Sequence, residues 1–351
     1  MGLTILQVGY PLAPVGPDTV GGAEQVLYHL DAGLVARGHR SLVVAPEGSR
    51  PAGDLVPVPA VSGSLDGPVR QQAQARHARA IERALDRYGI DLVHLHGIDA
   101  FSYLPPPGVP VLVTLHLPPS WYPAETWGQG RPDTWLVPVS EHQRRQCPDS
   151  PALLPPVLNG VPAKALSSPY GKRNLLAAMG RICPEKGFEH AVDAAKAAGK
   201  PLLLAGKLYA YGAHQDYFEN VLTPRLDSRR RFIGPLGFLG KRHLLGMARA
   251  LLVPSLCEET SSLSSMEALA CGTPVIAFPN GALPEVVEHG VTGFIVPDAA
   301  AMADAIADLG HIDPEACRAT ARARFSLDAM VESYLATYRR ILGREARTEA
   351  A

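Results

Sequence analysis

The stretch EETSSLSSMEALACGTPVIA, residues 258–277, sets two of its carboxylates, Glu259 and Glu267, with seven residues between them, four of which are serine. On one continuous helix these acids would lie about 12 Å apart along the axis and about 80° apart around it, too far to share a proton. They are therefore not a hydrolytic acid pair. A helix that starts near Ser262–Ser264 arranges them better, with Glu259 in the loop after the apolar run LLVPS and Glu267 one turn inside. The serines then cap the first turn, and its free backbone N–H groups face an anion. An anion held at a helix start, with an acid reaching hydroxyls on either side, describes a sugar nucleotide: sugar, diphosphate and ribose. An exposed glutamate and a simple serine cap would leave the same pattern without a ligand.

A second group of chemistry-bearing residues lies in MGRICPEKGFEHAVDAA, residues 179–195. Arg181 and Lys186 follow a strand and precede a helix, where two cations can neutralise a diphosphate as its leaving charge develops. No aspartate pair with metal-binding spacing is nearby, so the chemistry is expected to be metal-independent. In TVGGAEQVL, Gly21 and Gly22 stand just before a helix and could form an anion site. Their spacing is not the dinucleotide G-x-G-x-x-G pattern, which argues against an oxidoreductase. His94, His96 and His116 fall at strand ends, and alternation turns His94 toward the core. All three tryptophans lie in HLPPSWYPAETWGQGRPDTW. Aromatic faces suit the apolar face of a sugar ring, so Trp121, Tyr122 and Trp127 are expected to line an acceptor site; Trp135, at a strand start, is expected in the core.

Alternating strands and helices must position these residues. Apolar runs at Ile5–Gly9, Ser41–Ala45, Asp91–His96, Pro110–His116 and Trp135–Ser140 read as strands of a parallel sheet covered on both faces. Between the first two, AEQVLYHLDAGLVARG puts Val26, Leu27, Leu30, Leu34 and Val35 on one helical face and stops at Gly38. The same grammar restarts after the irregular AKALSSPYGK, with strands at Leu175–Met179, Pro201–Ala205, Arg231–Ile233, Leu251–Pro254 and Pro274–Phe278. Two doubly wound α/β domains follow, residues 1–162 and 163–325. The remaining segment, 326–351, holds a helix over Asp328–Leu342 that could pack back on the first domain. Ligands of such sheets sit beyond the carboxyl ends of the strands, where the residues above fall.

Composition sets the outer bounds. The 351 residues are 46% hydrophobic and 19% charged, enough for a substantial core in about two domains. A formal charge of −1 offers no global attraction to nucleic acid or to an anionic membrane. The helix RQQAQARHARAIERALDRYG lines up Arg76, Arg79, Arg83 and Arg87, which reads as a solvated or acceptor-facing stripe in preference to a membrane-docking one. No apolar run reaches transmembrane length and MGLTILQVG has no signal-peptide pattern, so a cytoplasmic location is expected. The five cysteines, Cys147, Cys183, Cys257, Cys271 and Cys317, lack metal-ligand spacing and read as buried thiols.

Over nearly its whole length the chain resembles the retaining glycosyltransferases of the large family numbered four, which have the GT-B fold of two Rossmann-like domains facing across a cleft. The residues that carry the resemblance are ETSSLSSMEALACGTPV, similar to the family's run from a first to a second Glu and on through EA-x-A-x-G-x-PV, and NGALPEVVEHGVTGFIVPD. The resemblance implies that Glu259 meets donor-sugar hydroxyls and helps stabilise oxocarbenium-like charge, and that Glu267 meets the ribose. It implies further that Arg181 and Lys186 bind the diphosphate, that Gly21 and Gly22 close on the donor phosphates, and that His116 lies by the reacting sugar. Main-chain contacts to the base are expected near Leu236, with UDP favoured over GDP, and Ser262, Leu263 and Ser264 supply the amides of the sugar pocket. Where the family has Phe-Gly after the first Glu, this chain has Ser261-Ser262, and serine reaches unusual backbone angles less readily than glycine.

The function so implied is metal-independent, retaining transfer from a nucleotide-sugar donor to a hydroxyl of a saccharide or glycosylated small molecule, in antibiotic or other natural-product oligosaccharide or cell-envelope glycan synthesis. No cofactor and no nucleic-acid partner is expected. Two rival readings are a sugar-nucleotide epimerase, which would consume donor without acceptor, and a non-catalytic nucleotide-sugar binding protein.

Overall fold

Leucine- and valine-rich strands build one six-stranded parallel sheet in each half of the computed structural model, which describes residues 2–17, 19, 21–61, 67–128, 130–167 and 170–343. Two units result, Met1–Asn159 with Leu327–Ala351, and Gly160–Ser326. In the first, β1 (Thr4–Val8), β2 (Arg40–Pro46), β3 (Asp54–Val58), β4 (Leu92–Leu95), β5 (Val111–Leu115) and β6 (Thr134–Pro138) run in the order β3-β2-β1-β4-β5-β6. The second holds β7 (Leu176–Met179), β8 (Leu202–Ala205), β9 (Arg230–Phe232), β10 (Ala250–Val253), β11 (Val275–Ala277) and β12 (Gly293–Ile295), in the order β12-β11-β10-β7-β8-β9.

The two orders are the same doubly wound topology. Chain order reverses direction between β1 and β4 in one sheet and between β7 and β10 in the other, and the crevice at such a switch point is where ligands bind. Two strands escape the apolar pattern, β3 and β12. DLVPV contains Pro57, which has no N–H for a ladder, and GFI is three residues long; both lie at sheet edges.

The helix Gly22–Ala36 buries Val26, Leu27, Leu30 and Leu34, but Asp31 joins its buried face while Val35 is exposed. Asp31 earns that place by accepting the backbone N–H groups of Ala52 at 2.7 Å and Gly53 at 3.1 Å, which ties the helix to the segment entering β3. The C-terminal helix Leu327–Ile341 packs on this first helix and buries Met330, Val331, Tyr334, Leu335 and Tyr338. Gly33 makes the close approach feasible, since a Cβ there would lie 2.4 Å from a methyl of Val331. Arg37 adds ion pairs of 2.8 Å to both Asp328 and Glu332 at the exposed rim.

In the second unit the irregular stretch opens with a short helix, Ala163–Leu166, while Ser168 and Pro169 lie outside the described residues. In the first unit the arginine-bearing helix, Gly67–Arg87, buries Ala73, His77, Ala80, Ile81 and Ala84 and leaves Arg79, Arg83 and Arg87 exposed and Arg76 half-buried. Among the described residues no helix is long and apolar enough to cross a membrane. All five cysteines are free thiols, four of them buried and Cys257 half-buried.

Candidate active site

The switch point of the second sheet gathers most of the polar residues singled out above. Beyond β7, Arg181 is exposed, and Lys186 ends a single helical turn, Pro184–Lys186. Gly187 closes that turn in the left-handed region (φ 59°), where a Cβ would lie 2.4 Å from the Pro254 carbonyl oxygen; glycine therefore lets the lysine loop lie against the end of β10. The amides of Leu256 and Cys257 donate to the Glu185 carbonyl and fix the same approach.

Beyond β10, the Lys186 ammonium donates to Oε1 of Glu259, which also accepts from Ser255 Oγ at 2.6 Å. Burial works against the Lys186 charge, yet the Glu259 carboxylate, together with the nearby Cys257 and Cys183 sulfurs, holds the lysine above its ordinary value. Glu259 is itself aimed by its backbone. Its carbonyl accepts from Ala282 N at 2.7 Å, and Gly281 (φ 66°) crosses so closely that a Cβ would sit 2.3 Å from both N and O of Glu259. Asn280 braces the opposite side, donating through Nδ2 to the Ser255 carbonyl at 2.7 Å.

The helix Leu263–Ala270 carries Glu267, which is buried and ion-paired with Lys241 on the helix Phe238–Met247. Each glutamate of the motif thus has its own lysine. Sequence reasoning missed Lys241, Ser255 and Asn280. Lys241 could have been sought on one ground, that a glutamate inside an apolar helix face needs a cation. The expected serine cap is corrected: Ser262 is the N-cap residue but makes no capping side-chain bond, because its Oγ pairs with Ser265 Oγ at 2.7 Å. Leu263 and Ser264 are half-buried at the helix start, and Leu236 is half-buried just before the helix that carries Lys241.

In the first unit, Gly22 opens its helix and Gly21 is the N-cap at an ordinary φ of −72°. The Glu24 carboxylate lies against Gly21, where a Cβ would meet it, and burial raises its pKa. At the switch point of this sheet the three histidines join a buried polar chain. Gln7 Oε1 stands 2.8 Å from His96 Nε2; an amide oxygen only accepts, so that nitrogen carries the proton. His96 Nδ1 is then the acceptor for His116 Nε2–H at 3.0 Å. His94 spans Tyr338 OH and Thr114 Oγ1, each at 2.7 Å, and Thr114 meets Tyr334 OH at 3.1 Å. The C-terminal helix therefore supports the strand ends that present His116. Burial pushes His116 down to about 3 and His94 and His96 well below the ordinary value, so all three are neutral.

These buried neutral histidines make the fold acid-sensitive. His77, fully buried, is pushed down to about 4 by burial. Its folded pKa lies below the unfolded one, so nothing is lost above about pH 6.5; below it the unfolded chain binds a proton that the folded chain refuses. At pH 5 this one residue costs about 2 kcal/mol, and His94 and His96 act in the same direction. Calorimetric melting should show the transition at least about 4–8 °C lower at pH 5 than at pH 7.5; an unchanged transition would refute the neutral-histidine assignment.

The aromatic loop divides. Trp121 is 52% exposed, as an acceptor platform requires. Tyr122 is a core residue whose hydroxyl accepts from Leu117 N, and Trp127 packs edge-on against it at 6.4 Å. Tyr122 therefore presents no open face, which corrects the expectation for that side chain, and Trp127 spends much of its ring on the same core. Trp135 is half-buried on β6.

Comparison with known proteins bears on the whole constellation. A family model described as "Glycosyl transferases group 1" matches residues 173–311, and one described as "Glycosyltransferase Family 4" matches residues 20–147. The D-inositol 3-phosphate glycosyltransferase of Mycolicibacterium paratuberculosis (strain ATCC BAA-968 / K-10) is 35% identical over 196 residues, 53% of this chain and 44% of that protein. The match thus spans less than half the length of the curated relative. Among solved structures, AviGT4, a glycosyltransferase involved in avilamycin A biosynthesis, is 27% identical with a TM-score of 0.73, covering 97% of this chain and 98% of the other. Sucrose-phosphate synthase from Thermosynechococcus elongatus, 22% identical with a TM-score of 0.76 over 97% of this chain and 99% of the other, shares the fold.

Proposed function

Because the chain belongs to the family 4, group 1 glycosyltransferases of GT-B fold, we propose that it transfers a sugar from a nucleotide donor, UDP-linked, to an acceptor hydroxyl with retention of anomeric configuration. The observation that carries this reading is the pair of Lys–Glu contacts beyond the strand ends of the second sheet, Lys186 with Glu259 and Lys241 with Glu267. A donor diphosphate competes with Glu259 for the Lys186 ammonium. Once the lysine turns to the phosphates, the carboxylate is free to accept from donor-sugar hydroxyls and to face the positive charge that develops at the anomeric carbon. Arg181 adds a second cation for the leaving diphosphate, and Glu267 takes the ribose hydroxyls. Main-chain groups near Leu236 meet the base.

In a front-side displacement the departing phosphate oxygen takes the proton of the attacking acceptor hydroxyl, so no protein base is required and no metal takes part. A neutral His116 suits this chemistry: it hydrogen-bonds the substrate without adding positive charge beside an oxocarbenium-like centre. The Gly21-Gly22 turn contributes amides to the donor phosphates, and Ser262, Leu263 and Ser264 supply the helix-start groups of the sugar pocket. The acceptor is a saccharide or glycosylated small molecule; the likeness to a glycosyltransferase of avilamycin A biosynthesis supports a natural-product oligosaccharide.

Incubation with UDP-sugars and saccharide acceptors, with the product read by NMR, tests the reaction: a new glycosidic linkage of the donor's own anomeric configuration is expected. Inversion, or donor epimerised without acceptor, would contradict it. Trp121→Ala should raise the acceptor KM about 3–10-fold with donor KM unchanged, the loss of one stacking face worth about 0.5–1.5 kcal/mol. Unchanged acceptor kinetics would remove Trp121 from the acceptor site.

A further inference from the structure

Cys183, Glu185 and His214 each bring a ligand atom to within 4.8 Å of the others. They come from two segments. Cys183 and Glu185 flank Pro184 at the turn that carries Lys186, and His214 lies on the helix Gly212–Tyr217 that follows β8. A thiol, a carboxylate and an imidazole together form the donor set that a borderline-soft divalent ion takes in tetrahedral geometry, with three protein ligands and one open position.

A second observation points the same way. Nδ1 of His214 is buried and has no hydrogen-bond partner among the described residues. A buried imidazole nitrogen left unpaired is destabilising, and an ion drawn to this imidazole would offset that cost. The Cys183 sulfur lies 3.6 Å from the Arg181 carbonyl oxygen, a weak contact that a metal bond would readily outweigh.

We propose that Cys183, Glu185 and His214 form a binding site for one zinc-class divalent ion, separate from the sugar-transfer chemistry. On binding, the Cys183 S–H bond is replaced by a sulfur–metal bond and the proton passes to solvent; nothing is oxidised or reduced. The ion ties the turn bearing Lys186 to the helix Gly212–Tyr217 and so stiffens the loop that carries the diphosphate cations. The sequence hid this site because its ligands follow no metal-binding spacing: Cys183 and Glu185 are separated by one residue, and the histidine comes from beyond the next strand.

Cobalt titration of the chelator-treated full chain tests the proposal. One equivalent of Co2+ should produce a thiolate-to-cobalt absorption in the near ultraviolet that Zn2+ displaces. Cys183→Ser should abolish that absorption, and His214→Gln should weaken binding by about tenfold or more, with circular dichroism of the metal-free variants matching wild type. No absorption with excess Co2+, or an absorption that survives Cys183→Ser, overturns the proposal. Should Cys183→Ser fail to fold, His214→Gln decides alone: unchanged cobalt affinity in that variant overturns it.

Discussion

Lys186→Ala should lower kcat/KM for the donor by about 10²–10³-fold, the scale of losing one preorganised group that meets charge developing in the transition state. Two effects combine in that number. The ammonium that meets the leaving diphosphate is gone, and the Glu259 carboxylate, whose side chain is only 12% exposed, is left facing an anionic ligand with Ser255 as its remaining named partner. Donor affinity should fall together with kcat, because the lysine serves the phosphates in the ground state as well as in the transition state. Lys186→Arg should recover charge without recovering the rate: the planar guanidinium cannot replace a compact ammonium in a turn that Gly187 holds against Pro254. Steady-state kinetics at varied donor concentration provide the check. A Lys186→Ala variant within about threefold of wild type would remove the lysine from the chemistry.

Glu267→Ala should be costly in a different currency. It strands the Lys241 ammonium, whose side chain is 18% exposed, beside a helix face that has lost its carboxylate. Breaking one side of a buried pair costs about 3–5 kcal/mol, and the partial exposure of the lysine places the expected loss at the lower end, about 3 kcal/mol. Donor binding should weaken as well, through the lost ribose contact. The double variant Lys241→Met with Glu267→Gln separates the two effects, since it removes both charges and should regain most of the stability while donor affinity stays low. Urea unfolding measures the first quantity and calorimetry with nucleotide the second. A double variant that regains donor affinity would show Glu267 to be structural only.

Why some of this could be read from the sequence and some could not follows from how each contact is made. Most of the ten strands that alternate with helices stand out as short apolar runs between turn signals, and residues such as Arg181, Lys186 and Glu259 stand out because they fall just past those runs. The edge strands β3 and β12 carry too little apolar length to be seen. Contacts that span the chain are equally invisible: Tyr338 reaches His94 across 244 residues, and Lys241 meets Glu267 from a neighbouring helix with no spacing to announce it. The Ser262 hydroxyl can accept from the first helix N–H groups or pair with a neighbouring hydroxyl, and only the folded backbone shows that it pairs with Ser265. Tyr122 and Trp127 read as a ligand platform because aromatic composition does not say which face is covered, and the core of the first unit covers Tyr122 and part of Trp127.

The proposed transfer requires that the lysine and glutamate pairs of the second sheet form a nucleoside-diphosphate site. Titration calorimetry of UDP, GDP, ADP and dTDP into wild type and Lys186→Ala tests it most directly. UDP should bind wild type in preference to the other three, and that binding should be lost in Lys186→Ala. Absence of binding by any of the four, or binding that Lys186→Ala leaves unchanged, would contradict it.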